Sequence, residues 1–134
     1  MRPLIAVPIG DPAGIGPEIV IRALADRNTT ESARCVIVGS RKGMEKALTY
    51  PGMPQLVIQT LKDPREGDYA PGTIEIVDID NMDMDAFVPG QVSGMCGRAA
   101  YEYIAEAIAL ANEGIVQAVE TTPLNQEYLK AGNV

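Results

Sequence analysis

Leu4-Ile5-Ala6-Val7-Pro8-Ile9 runs directly into Gly10-Asp11-Pro12-Ala13-Gly14-Ile15-Gly16-Pro17-Glu18, and a helix-patterned segment follows at once. An apolar strand, a glycine-rich turn and a helix in immediate succession are how an α/β protein builds a ligand site. Glycine permits positive φ and close backbone approach, and Pro17 suits a first helical turn whose leading N–H groups point into the loop. Two familiar ligand loops do not fit. A triphosphate-binding loop needs Gly-Lys-Ser/Thr beginning where Ile15 stands, and the turn contains no lysine. A dinucleotide fingerprint starting at Gly14 would need a third small residue at Ile19. Asp11 and Glu18 add negative charge beside the helix N-terminus, which offsets the dipole that attracts phosphate. The turn is suited to hydroxyls, amides or an apolar ring edge.

Working outward, the spacing predicts a first helix over Pro17 to Ala25, with Ile19, Val20, Ala23 and Leu24 on one face and a break at Asn28-Thr29-Thr30. Strands are expected at Arg34 to Val38, Gln55 to Thr60, Thr73 to Asp78 and Ile115 to Val119. Ser40 is placed to cap a short helix carrying Met44, Ala47 and Leu48. The segment from Lys62 to Gly72, with Pro64, Gly67, Pro71 and Gly72, reads as a loop. The longest helical pattern spans Ser93 to Asn112 and ends at Gly114; its recurring residues are Ala99, Ala100, Tyr103, Ile104, Ala107, Ile108 and Ala111. A last helix is expected to begin over Gln126 to Lys130. The fold class is therefore α/β, a mostly parallel sheet with flanking helices. In such a sheet ligands bind beyond the carboxyl ends of the strands, so the turn at Gly10 and the polar run Glu120-Thr121-Thr122-Pro123 are expected to face one crevice. Residues 1–134 read as a single α/β unit, incomplete because no further strand closes that crevice.

The chain carries 18 acidic against 11 basic residues, a net charge of -7. Nucleic acid and anionic membranes both require a positive surface and are excluded as expected partners, leaving a small molecule or another protein. No signal-peptide core or membrane span is seen, so the cytoplasm is the expected compartment. There is no histidine, which removes the commonest general base and the commonest transition-metal ligand together. Cys35 and Cys96 carry neither metal spacing nor a disulfide framework.

Other constellations carry less. The acidic run Asp78 to Asp85 has Met82 and Asp83 where a calcium loop needs Asp or Asn and then Gly, so it reads as a solvated loop. Ser93 stands one place late for a nucleophile elbow and is better read as an N-cap. Glu102 and Glu106 are expected surface charges, and Tyr101 and Tyr103 packing or rim residues. Thr121, Thr122, Asn125 and Gln126 form a polar cluster suited to a hydroxylated or carboxylated ligand, or to capping.

Together, Gly10-Asp11-Pro12-Ala13-Gly14-Ile15-Gly16-Pro17-Glu18, Gly90-Gln91-Val92-Ser93 with Gly97-Arg98-Ala99-Ala100-Tyr101-Glu102-Tyr103-Ile104, and Thr122-Pro123-Leu124-Asn125 resemble the 4-hydroxythreonine-4-phosphate dehydrogenase family. That family includes a subgroup associated with D-threonate or D-erythronate 4-phosphate. The Gly-Ile-Gly-Pro-Glu core is also similar to the isocitrate and isopropylmalate dehydrogenase superfamily, so the fold expected is the N-terminal part of that two-domain architecture. The resemblance covers all 134 residues of a family whose chains run to more than twice this length, which implies an N-terminal fragment with its C-terminal portion absent. It implies an NAD- or NADP-dependent oxidation, with decarboxylation, of a 4-phosphorylated four-carbon hydroxy acid such as 4-phosphohydroxy-L-threonine, in pyridoxal phosphate biosynthesis. It also implies a homodimer and a divalent metal (zinc, magnesium or cobalt) held by histidines beyond Val134.

Carried over by position, Gly14, Ile15 and Gly16 would approach the nicotinamide end of the cofactor, with Asp11 organising the turn. Thr122, Pro123 and Asn125 would lie on the substrate side of the crevice. No catalytic residue and no metal ligand is expected within these residues, so the chain alone is expected to be inactive. Gln126 replaces the family's lysine, and Glu120 stands where the family is usually apolar. The competing reading is a non-catalytic small-molecule binding or assembly module.

Overall fold

The structure, a computed structural model, describes residues 2–91 and 93–121. Its centre is a five-stranded sheet made of β1 (Leu4–Pro8), β2 (Arg34–Gly39), β3 (Val57–Thr60), β4 (Thr73–Asp78) and β5 (Ala118–Val119). The order is β3-β4-β2-β1-β5, and every pairing is parallel. Around it lie α1 (Gly16–Ala25), α2 (Arg27–Ser32), α3 (Arg41–Leu48) and α4 (Gly94–Asn112), with a short 3-10 turn at Pro64–Glu66. The expected α/β class and parallel arrangement are thus observed.

Register is fixed by apolar residues in the central strands: Ala6 stands beside Val36, Val7 beside Ile37, and Ile37 beside Ile76. Ala6, Val36, Ile37, Val38, Ile74 and Ile76 are all buried. Fully burying a side chain of this size contributes about 1.5–3 kcal/mol, so the strip through β1, β2 and β4 is the main source of cohesion. Helix α4 packs across β1, β2 and β5 through Ala99, Tyr103, Ala107 and other buried residues. Small residues dominate that helical face and allow the close approach. At the ends of β1 and β2 the contact is tighter still, because a Cβ on Gly39 would lie 2.7 Å from the Ile9 side chain. Only glycine fits there.

Several boundaries differ from the sequence expectation, each for a local reason. The expected break at Asn28–Thr30 is helical: Asp26 accepts a hydrogen bond from the Asn28 N–H at 2.9 Å and caps α2. The core side of α1 is Pro17, Val20, Ile21 and Leu24, while Ile19 is exposed and Ala23 half-buried, a rotation of about one residue from the expected face. β3 begins at Val57 rather than Gln55, whose side-chain amide donates to the Leu48 and Met53 carbonyls instead. The expected strand from Ile115 reduces to Ala118–Val119, since the N–H groups of Ile115 and Val116 both return to the Leu110 carbonyl. Ser40 and Ser93 cap α3 and α4 as expected, accepting from the N–H groups of Gly43 and Cys96. The last helix expected over Gln126 to Lys130 lies outside the described residues.

Candidate functional site

Because all five strands are parallel, the segments that follow them emerge at one edge of the sheet. The turn after β1 and the Glu120-Thr121 end of β5 are neighbours there, as β5 pairs directly with β1 and the Glu120 N–H donates to the Ala6 carbonyl at 3.0 Å. Of the second loop expected at the crevice, only Glu120 and Thr121 fall among the described residues.

The turn is held from within. Asp11 is 3% exposed, and its Oδ1 accepts from the Ala13 N–H at 2.8 Å while its carbonyl accepts from the Gly14 N–H at 3.0 Å. Burial pushes the Asp11 carboxyl above the usual aspartate range, partly offset by hydrogen bonding to the Ala13 and Gly14 backbone. Its Oδ2 is buried with no hydrogen-bond partner among the described residues. Asp11 thus shapes the turn and does not present its side chain outward. A second tie comes from Gly90, whose N–H donates to the Ala13 carbonyl at 2.7 Å.

Of the three glycines in the turn, only Gly10 takes a positive φ, at 71°. Gly14 has room for a methyl group, which would meet nothing closer than 3.5 Å. Helix α1 then starts at Ile15, an N-cap with no side-chain hydrogen bond, so its leading N–H groups are left to the loop side. Ile15 is 60% exposed. The turn therefore offers an apolar side chain and uncapped backbone donors at the sheet's carboxyl edge. That combination can meet the face of a planar ring and its amide, while the acidic surroundings suit a neutral group better than a phosphate.

An apolar cavity of about 250 Å³ lies between the sheet and α1, running from Glu120 and Thr121 past Val7, Ile19 and Ile37 to Thr29 and Cys35, and no residue of the turn at 10–16 lines it. The other sequence-picked residues of the substrate side, Thr122, Pro123 and Asn125, lie outside the described residues, as does Gln126. The described residues do not fit a metal: among them no group of three or more His, Cys, Asp or Glu is placed to hold an ion, and the sequence has no histidine. Cys35 and Cys96 are free thiols.

Near the same edge the structure adds a buried polar pair that sequence reasoning did not assemble. Tyr103, fully buried, donates its hydroxyl to Asn81 Oδ1 at 2.9 Å, and Asn81 Nδ2 has no partner among the described residues. Burial holds the Tyr103 hydroxyl far above the usual tyrosine range. Tyr103 is thus a core residue, and Tyr101, 52% exposed, is the rim residue. Glu102 and Glu106, expected on the surface, are half-buried. The helical spacing of Tyr103 marked its inward face, but its partner comes from an irregular segment with no period to read. The acidic run forms a capping and ion-pairing surface: Asp78 accepts from the Arg41 N–H, and Asp80 lies 3.3 Å from Lys42.

Comparison with known proteins gives one family. The family described as pyridoxal phosphate biosynthetic protein PdxA matches residues 31–134. A curated relative from Fusobacterium nucleatum subsp. nucleatum, named "Putative D-threonate 4-phosphate dehydrogenase", is 46% identical over 134 residues, covering 100% of this chain and 40% of its own length. A relative of the same name from Halalkalibacterium halodurans is 42% identical, covering 99% of this chain and 40% of its own. The crystal structure of a 4-hydroxythreonine-4-phosphate dehydrogenase from Klebsiella pneumoniae superposes with a TM-score of 0.93 at 37% identity, over 99% of this chain and 40% of that one. The chain thus spans about 40% of the length of the curated relatives it matches.

Proposed function

Since the chain belongs to the pyridoxal phosphate biosynthetic protein PdxA family, we propose that it forms one wall of the active site of an NAD(P)-dependent dehydrogenase. The substrate is a 4-phosphorylated four-carbon hydroxy acid, oxidised at a secondary alcohol and decarboxylated, as in pyridoxal phosphate biosynthesis when that acid is 4-phosphohydroxy-L-threonine. The parent protein is a cytoplasmic homodimer. Among the described residues no helix is long and apolar enough to cross a membrane, which is compatible with that compartment.

NAD(P), when bound, supplies the hydride acceptor. What this chain contributes is placement. The backbone of Gly14 and Gly16 and the exposed Ile15 side chain receive the nicotinamide end, and Asp11 holds the turn in shape through Ala13 and Gly14. Thr122, Pro123 and Asn125 serve the substrate side. The divalent metal implied by the resemblance would be held by histidines elsewhere in the parent, since the described residues offer no donor set and this sequence has no histidine.

The observation that carries this reading is the Gly14–Gly16 turn, uncapped and with Ile15 60% exposed at the carboxyl edge of a parallel sheet. Titrating NAD and NADP into isotopically labelled chain tests it: amide shifts are expected at Gly14, Ile15 and Gly16, and a titration that leaves those amides unmoved refutes the cofactor role. Turnover is the second readout. The chain alone is expected to show none with NAD and either phosphorylated acid, and an enzymatic rate would refute the claim that the rest of the parent is needed. On substrate choice, the curated relatives support D-threonate 4-phosphate, the name carried at 46% and 42% identity, over the 4-hydroxythreonine phosphate of the solved relative at 37%.

A further inference from the structure

Glu75 lies in the middle of the sheet, on β4, beside Val36 of β2 and Gln59 of β3. It is 2% exposed, and neither carboxylate oxygen has a hydrogen-bond partner among the described residues. A buried ionised carboxylate with no partner is strongly disfavoured, and the usual resolution is that the group keeps its proton. Burial, and then the nearby Asp68, do hold the Glu75 carboxyl above the usual glutamate range.

What covers Glu75 is the crossover from β3 to β4, residues 61–72. A Cβ on Gly67 would fall 2.5 Å from Glu75 Oε2, 2.7 Å from the Tyr69 ring and 2.9 Å from Leu61. The crossover is therefore seated directly on the carboxyl group. Tyr69 is itself buried, with its hydroxyl donating to the Pro64 carbonyl at 2.6 Å, and it holds a positive φ of 53°, rare for a bulky residue. Such strain persists only where the surroundings over-determine it. A cavity of about 10 Å³, one water molecule wide, touches Glu75 together with Thr30, Cys35, Tyr69 and Thr73.

We propose that Glu75 is a proton-dependent latch: as the neutral acid it lets residues 61–72 lie closed over β4, and loss of its proton opens that segment to admit water. The groups around the latch all work in one direction or act on its cover. Asp68, on the crossover itself, disfavours a second negative charge at Glu75. The Tyr69 hydroxyl is kept neutral chiefly by burial, a charge on Glu75 would raise it further, Arg34 on β2 pulls the other way, and Cys35 on β2 and Asp63 reinforce the effect. The helical residues at the cavity, Leu24 of α1 and Thr30 of α2, carry no charge.

Hydrogen exchange on the 134-residue chain, corrected for intrinsic rates, tests the latch between about pH 5 and pH 8. Protection of the 61–72 amides should fall by up to about tenfold for each pH unit between the ordinary glutamate value of 4.5 and the raised value that Glu75 holds when the segment is closed, and should level off above it. Glu75→Gln should flatten that dependence, whereas Asp80→Asn, at an exposed carboxylate beyond β4, should keep it. Equal profiles for the wild type and Glu75→Gln, or loss of the dependence in Asp80→Asn, overturn the proposal. Should Glu75→Gln fail to fold, side-chain carboxyl NMR of the wild type decides: titration above the ordinary glutamate range supports the latch, and titration within it sinks the latch.

Discussion

Gly14 and Asp11 separate what the turn needs for folding from what it needs for binding. Gly14 keeps a negative φ and has space for a methyl group, so the fold does not require glycine there, and the proposed cofactor approach is what would use it. Gly14→Ala should leave thermal stability unchanged or raise it by about 0.4–1 kcal/mol through the unfolded state. The same change should weaken NAD binding by about tenfold, or ~1.4 kcal/mol, read from amide shifts. A variant that unfolds, or that binds as the wild type does, contradicts this division. Asp11 makes a different test. Its folded carboxyl is raised by burial, so the stability it contributes is complete below the ordinary aspartate value of 3.8 and is lost as pH rises through its folded value. Asn in its place keeps an acceptor for the Ala13 N–H without the charge. Urea midpoints should therefore fall less between about pH 4 and pH 7 in Asp11→Asn than in the wild type, and parallel curves would show that Asp11 is not a buried acid. Sequence located this residue from its place beside Gly10, but not its tertiary setting, in which Gly90 ties the turn at Ala13 and Cys96 of α4 lies near enough to feel the Asp11 charge. Glu75 was less legible still. In Thr73–Asp78 the alternation sets Glu75 opposite Ile74 and Ile76, which reads as a wet face, and only the crossover from β3 closes over it.

At the scale of elements, hydrophobic period and turn chemistry located every strand and the long helix, because β1, β2 and β4 are apolar runs and α4 repeats small residues at helical spacing. Two of the errors fell where a backbone group had two available partners. The N–H groups of Ile115 and Val116 could extend a strand or close α4, and they close α4. Asn28-Thr29-Thr30 looked like a breaker, since these residues compete with helix formation through their side chains. Asp26 reverses that outcome by capping the Asn28 N–H, and Thr30 and Ser32 turn their hydroxyls onto the Arg27 and Asn28 carbonyls within the helix. The six residues of α2 are too few to persist without tertiary or capping support. Asp26→Ala should therefore cost about 1 kcal/mol in urea unfolding and fray the amides of α2 in hydrogen exchange. An unchanged exchange pattern would mean that packing, not the cap, holds the segment.

For the whole molecule, covered and uncovered apolar surface divide unequally. The core beneath α4 is closed, yet Ile15 and Ile19 at the start of α1 and Tyr101 and Ile108 on α4 are 42–60% exposed. Tyr101 and Ile108 are seven residues apart, two helical turns, with the half-buried Ile104 between them, so they form one stripe along the outer side of α4. Single exposed apolar residues are ordinary, but a contiguous stripe is surface through which chains can associate. A net charge of -7 opposes association at long range, but salt screens it within about 10 Å at 0.1 M ionic strength. Self-association should therefore strengthen as salt is added, the reverse of an ion-paired interface. Light scattering over a dilution series should show mass above the monomer at high concentration, increasing with salt, and Tyr101→Lys with Ile108→Lys should return the chain towards monomer. If the wild type remains monomeric at every concentration and salt level, the stripe is solvated surface, and the apolar exposure around α4 has no bearing on how the chain assembles.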